Sequence, residues 1–187
     1  MTQLDLAHEE KLLTIEKHFE GIMQALGCDL SDSSLAATPK RVAKMFVEEL
    51  FAGMDPNAFP NISYIYEGFE KGGLIQIKEI AVHSICEHHF LPFTGTAEIA
   101  YLPNTKILGL SKFNRIVDYF CRRPQLQERL TMQIADCLSL LLGTEDIAIK
   151  IAASHGCVTL RGIHDPCSQT ITRVYRGKFL SDLKNIL

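Results

Sequence analysis

Several features that would place this chain in a common class are missing from it. No window approaches the roughly 18–20 consecutive apolar residues that a membrane-spanning helix needs. The opening stretch, Met1 to Leu13, carries Asp5, Glu9 and Glu10 where a secretory signal would have a basic region and then an apolar run. The expected compartment is therefore the cytoplasm. The six cysteines (Cys28, Cys86, Cys121, Cys137, Cys157 and Cys167) are then read as reduced thiols, some of them metal ligands, and not as a disulfide frame. A formal net charge of only -3 gives no basic balance for general nucleic-acid binding. It leaves room for a phosphorylated small substrate, which needs only a local cluster of Lys and Arg. No Gly-x-x-x-x-Gly-Lys-Ser/Thr occurs, which removes the P-loop as phosphate binder. Pro166-Cys167 is followed by Ser168, Gln169 and Thr170, so the Pro-Cys-x-x-Cys signature of zinc nucleobase deaminases is absent. There is no internal repeat and no low-complexity segment.

What is present fits a soluble globular protein: 187 residues, 47% hydrophobic and 22% charged, enough for one core with a helical appendage. Leu12, Ile15, Phe19, Ile22, Met23 and Leu26 recur at helical spacing and predict a helix over about 5–26, stopped by Gly27. Thr38-Pro39 reads as an N-cap followed by a first-turn proline, opening a second helix that ends near Gly53. After Gly73 the pattern changes. Ile75, Ile77, Ala81, His83 and Ile85 alternate with more polar positions and predict a strand that delivers Cys86 at its end. Further strands are expected at Thr96 to Leu102, Ile107 to Leu110, Ile147 to His155 (continuing to Cys157) and Thr170 to Phe179. Between them lie a helix capped by Ser111 and a second one over Gln125 to Leu142, ended by Gly143. Strands joined mostly without crossover helices favour an α+β fold, an antiparallel sheet with helices on one face. The expected division is an N-terminal helical region, 1–60, followed by a catalytic domain, 61–187.

Chemistry concentrates in Cys86-Glu87-His88-His89 and in His155-Gly156-Cys157. Cys86 and His89 have metal-ligand spacing, and either His155 or Cys157 completes a site of the thiolate and imidazole type that zinc prefers. Three ligands with histidines to spare point to a centre that does chemistry, since structural zinc sites close with four protein ligands. Glu87 reads as a general base or as a partner of a ligand. Glu128, at a helix start, is on its own an acid placed for the helix dipole. Lys112 and Arg115 share a helix face, Arg161 follows Cys157 by four, and Lys40 and Arg41 open an earlier helix; arginines suit bidentate phosphate contacts. His8, His18 and His164 carry no such pattern.

Ser84-Ile85-Cys86-Glu87-His88-His89, Gly109 to Val117, Gln125-Leu126-Gln127-Glu128-Arg129-Leu130-Thr131, His155-Gly156-Cys157 with Arg161-Gly162, and Thr38-Pro39-Lys40-Arg41-Val42 together resemble type I GTP cyclohydrolase, in order and over about residues 10–179. The resemblance implies a tunnelling fold: a four-stranded antiparallel sheet with two helices, assembled into a toroidal homodecamer with active sites between subunits. It implies zinc on Cys86, His89 and Cys157, and His88 and His155 as the acid–base pair. It places Glu128 with Gln127 on the guanine. Lys112, Arg115, Arg161, Ser111 and a neighbour's Arg41 fall on the triphosphate and nucleotide. The implied reaction takes GTP and water to 7,8-dihydroneopterin triphosphate and formate, the entry to tetrahydrofolate or other pterins, without a redox cofactor. Gly156, Cys167 and Lys78 depart from the family pattern, and Gly156 is expected to loosen the zinc strand locally. A hydrolase that stops after ring opening and a non-catalytic zinc paralogue are the competing readings.

Overall fold

The structure is a computed structural model that describes residues 7–62, 65–67 (backbone only), 73–181 and 186–187. The start of the first expected helix, Asp5 and Leu6, lies outside the described residues. Two compact units divide the chain, Met1–Ala52 and Gly53–Leu187. The expected boundary at 60/61 lies eight residues beyond that division.

In the first unit α1 runs His8–Ala25 and α2 runs Thr38–Lys44, continued by a π-helical turn over Met45–Leu50. Gly27 follows α1 at φ 79°, the left-handed conformation that stops a helix and that glycine adopts without strain. Thr38 is not the cap: Ala37 holds that position with no side-chain bond, and the Thr38 hydroxyl accepts from Arg41 instead.

In the second unit the main sheet has the order β5-β2-β3-β6-β7, with β2 Ile75–Cys86, β3 Pro92–Tyr101, β5 Pro124–Gln125, β6 Ile147–His155 and β7 Thr170–Tyr175. The four long strands pair antiparallel, as expected; β5 adds two residues parallel to the end of β2. The short strand near Ile107, β4 (Lys106–Leu108), does not join this sheet but pairs with β1 (Ile65–Glu67). α3 (Leu110–Cys121) and α4 (Gln127–Leu142) cover one face. The odd-numbered Phe93, Ala97, Ile99 and Tyr101 of β3 and Ile147, Ile149, Ile151 and Ala153 of β6 share that core with Phe113, Ile116, Val117, Leu130, Ile134 and Leu138. Period-two strands meeting period-3.6 helices explain this selection.

β2 obeys the alternation only with an interruption. Ile77 pairs with Ile99 but Ile80 with Ala97, so one extra residue is inserted, and Glu79 sits at φ 57° inside the bulge. A bulge reverses which residues face the core. Ala81 and His83, expected to share a face with Ile75 and Ile77, are consequently exposed, and Val82, Ser84 and Cys86 turn inward. This reversal brings Cys86 to the helix-covered face. Close approach of β3 to β6 depends on Gly95, where an added Cβ would lie 1.9 Å from the Ala152 carbonyl oxygen. Gly143, at φ 63°, ends α4 as expected. Ser111 does not cap α3; Gly109 occupies the position, without a side-chain bond.

Candidate metal centre and nucleotide site

The site forms where β2 and β6 end side by side with β3 between them. Cys86, the last residue of β2, is 4% exposed. Its amide donates to the Leu91 carbonyl and its carbonyl accepts from Phe90, closing a tight turn over Glu87, His88 and His89. The Glu87 amide donates to the Gln125 carbonyl, and the Glu87 carboxylate accepts from Arg129 at 2.6 Å, so the turn is tied to the start of α4. Glu87 thus has an ion-pair partner within the chain, in line with a supporting role.

β6 ends at His155, and the chain then turns into a short helix, α5 (Gly156–Thr159). The expected strand continuation to Cys157 does not occur. Gly156 opens that helix: it is buried, and an added Cβ would lie 2.8 Å from the Pro92 carbonyl oxygen and 3.3 Å from Leu160 Cδ1. The glycine therefore permits close packing of the turn on β3.

One donor atom from each of Cys86, His155 and Cys157 lies within 4.8 Å of the others. Burial, and then the Cys86 thiol beside it, push the Cys157 thiol up. Two thiols confined in this way resist joint ionisation, and a divalent cation relieves that cost, so the donor set fits a thiolate-binding metal. His89 stands apart from this triad: it is exposed, and its Nε2 accepts from Arg161 Nη1 at 3.2 Å. His88 is exposed as well.

His155 is held on two sides. Its ring stacks on Phe93, its register partner on β3, at 4.6 Å between centroids and 10° between planes. Its Nε2 lies 2.8 Å from Gln127 Oε1. Burial pushes the imidazole down, partly offset by the nearby Glu128 carboxylate, which favours the charged ring. Glu128 itself is exposed in the first turn of α4, while Gln127 beside it is buried. Phe93, Arg129 and the partnership of Gln127 with His155 went unread in the sequence. Glu87 has no Lys or Arg nearer in sequence than Lys78, so nothing local announced Arg129, 42 positions away, and Phe93 looks like any strand phenylalanine.

The cationic residues are less gathered. Lys112 is buried, and its Nζ donates to the Asn61 carbonyl at 2.6 Å. Ser111 and Arg115 are exposed on α3, and Arg161 is exposed beyond α5. Arg41 belongs to the N-terminal unit, where its guanidinium donates to the Ser34 carbonyl and the Thr38 hydroxyl. Among the described residues no helix is long and apolar enough to cross a membrane.

The apo form of archaeosine synthase QueF-Like superposes with a TM-score of 0.46 and 16% identity, covering 58% of this chain and 97% of that one. GTP cyclohydrolase 1 of Tolumonas auensis is 48% identical over 181 residues, 97% of this chain and 84% of the relative. GTP cyclohydrolase 1 of Flavobacterium johnsoniae is 50% identical over 175 residues, 94% of this chain and 78% of the relative. The model of the family described as GTP cyclohydrolase I matches residues 15–186, a span that holds every residue of the thiol and histidine cluster, and the chain belongs to that family.

Proposed function

We propose that this protein is a GTP cyclohydrolase I, converting GTP and water to 7,8-dihydroneopterin 3'-triphosphate and formate. The observation that carries the reading is the convergence of Cys86, Cys157 and His155 within 4.8 Å, in a chain of this family. Cys86 and Cys157, with His89 from the same turn as Cys86, would hold a zinc ion. Zinc there supplies Lewis acidity, lowering the pKa of water toward about 7. His155, close to both thiols but engaged by Gln127, is left to carry protons, and His88 serves as the second proton carrier. Opening a purine imidazole ring requires protons to be delivered to nitrogen and removed from water, the work of paired imidazoles near neutral pH.

Guanine offers two adjacent N–H groups on one edge, which suits the exposed carboxylate of Glu128. Arg115, Arg161 and Lys112, with Ser111 at the start of α3 and Arg41 of a neighbouring subunit, receive the triphosphate; Lys112 exchanges its bond to Asn61 for phosphate. The Gln127 amide has internal partners, so guanine recognition falls mainly to Glu128.

Assembly into a toroidal homodecamer is supported by two sheet edges that are open among the described residues. β5 covers only Ile85 and Cys86 of β2, and β7 is the other edge. Ile171, on that second edge, is exposed. Unpaired edges invite pairing with another chain. The product enters tetrahydrofolate or related pterin synthesis, and the expected site of action is the cytoplasm.

The test is fluorescence detection of neopterin, after oxidation and dephosphorylation, from purified protein with GTP and zinc. A signal abolished by a chelator is expected. Absence of pterin from zinc-loaded protein would overturn the reading, and formate release without pterin would mark an enzyme that stops at ring opening.

A further inference from the structure

Gln127 is 2% exposed and its side chain is saturated with partners inside the chain. Nε2 donates to the carbonyls of Ile151 at 3.1 Å and Thr170 at 3.0 Å, and lies 3.1 Å from Thr172 Oγ1. An amide NH2 has two hydrogens, and a backbone carbonyl can only accept. The orientation of this amide is therefore determined by its surroundings. Turned over, it would set its oxygen against two carbonyl oxygens at about the same distances and leave both without their donor, a loss that a single bond from the amide to a lone pair on His155 Nε2 does not offset. The Thr131 hydroxyl donates to the Gln127 carbonyl at 2.7 Å and shares a second 2.7 Å bond with Thr172, so the backbone and the amide are fixed together.

With the amide so oriented, Oε1 faces His155 Nε2 at 2.8 Å. An amide oxygen has no proton to give, so the bond exists only if His155 carries its hydrogen on Nε2. Stacking on Phe93 holds the plane of the ring in line with that bond. We infer that Gln127 sets the tautomer of His155, holding the hydrogen on Nε2 and leaving Nδ1 as the only ring nitrogen with a lone pair in the neutral imidazole. Gln127 is then a positioning residue acting through His155. Two strand carbonyls, from β6 and β7, orient an amide on α4, and the amide orients the ring. Every proton His155 takes up or releases during the proposed reaction passes through Nδ1; this consequence rests on the reading of His155 as a proton carrier, while the tautomer itself does not.

The tautomer is read directly from nitrogen chemical shifts. Magic-angle-spinning spectra of full-length protein labelled with 15N-histidine, metal-free and zinc-loaded, should show a protonated Nε2 and an unprotonated Nδ1 for His155, identified by the signals missing from His155→Asn. A hydrogen on Nδ1, or an even mixture of the two forms, would overturn the inference, and this spectrum of the unaltered protein decides the matter whether or not any variant folds. Gln127→Met keeps the length and apolar stem but removes acceptor and donors. Provided its melting and assembly match the parent, the single tautomer should be lost. kcat should then fall about 10–100-fold, the range for partners that orient site residues, with KM for GTP within about twofold of the parent. A raised KM with unchanged kcat would instead make Gln127 a guanine contact and end its positioning role. If the unaltered protein makes no pterin while its spectrum shows the Nε2–H form, the proposed reaction fails and the tautomer assignment stands.

Discussion

His155 and His89 reach the same end of the sheet and are held in contrasting ways. His155 leaves the end of a central strand, stacked on Phe93, bonded to a buried glutamine and followed by a glycine that lets the next turn press on β3. His89 leaves a surface turn, exposed, with one 3.2 Å bond to an equally exposed arginine. The turn itself is secured at its base, by the Glu87–Arg129 pair and by backbone bonds, but its histidines are not. One half of the site is therefore held in place by contacts within the chain, and the other is a set of exposed side chains, which change rotamer readily. Preorganisation matters most where a proton must be handled at a defined atom, and least where long cations follow a flexible triphosphate.

The largest expected effect comes from removing a metal ligand. Cys157→Ala should abolish stoichiometric zinc and pterin formation together, since it deletes one of the two thiols that the fold brings together. His89→Ala tests whether the mobile half supplies the third ligand. Zinc content measured by atomic absorption should fall for His89→Ala and persist for His155→Asn, with activity lost in both. Full zinc in the first and loss in the second would make His155 the ligand, as its distance to the thiols alone would have it, and would collapse the contrast between the two histidines.

How the two halves differ was only partly legible in the sequence. α4 and its glycine stop followed from apolar spacing and a left-handed position, both local signals. The clustering of thiols with histidine was visible as residue types. The bulge at Glu79 was not, because an extra residue in a strand leaves the run of β-forming residues unbroken while reversing its faces. The turn after His155 was misread as strand because the alternation of Ile147, Ile149 and Ile151 was carried on through Gly156 to Cys157. The value of Gly156 lies in a backbone contact with Pro92, a residue 64 positions away in sequence that no local pattern announces. Gln127 stood next to the recognisable Glu128 and was grouped with it. Neighbours at a helix start point in different directions, and only the fold shows one side chain buried and the other in solvent.

A smaller effect sharpens the contrast on the built side. Gly156→Ala places a methyl 2.8 Å from a carbonyl oxygen that has no flexible side chain to yield. The expected cost is about 2 kcal/mol, within the usual range for overpacking, read as a lower denaturant midpoint with unchanged slope. The same change at Gly73, where an added Cβ meets nothing within 4 Å, serves as the reference. Equal midpoints for the two variants would show that the turn after His155 yields to the methyl and is not the close-packed half of the site.

The smallest effect distinguishes sealed thiols from those of the site. Burial pushes Cys121 up to about 12 from its ordinary 9.0, with the Asp118 carboxylate adding to the shift. In the unfolded chain this thiol loses its proton near pH 9, whereas in the folded protein it keeps it. Above pH 9 the unfolded state thus binds fewer protons than the native one, and stability falls as pH rises, by at most about 1.4 kcal/mol per pH unit for one thiol. Cys137, itself pushed up to about 11 by burial, titrates in the same region, so the wild-type slope alone is not diagnostic. The difference between wild type and Cys121→Ala is. The variant should be less stable at pH 8, where the lost packing dominates, and the gap should narrow steadily toward pH 10.5, because only the wild type has a thiol at this position to ionise on unfolding. Parallel curves from denaturant titrations across that range would mean that Cys121 ionises as easily folded as unfolded.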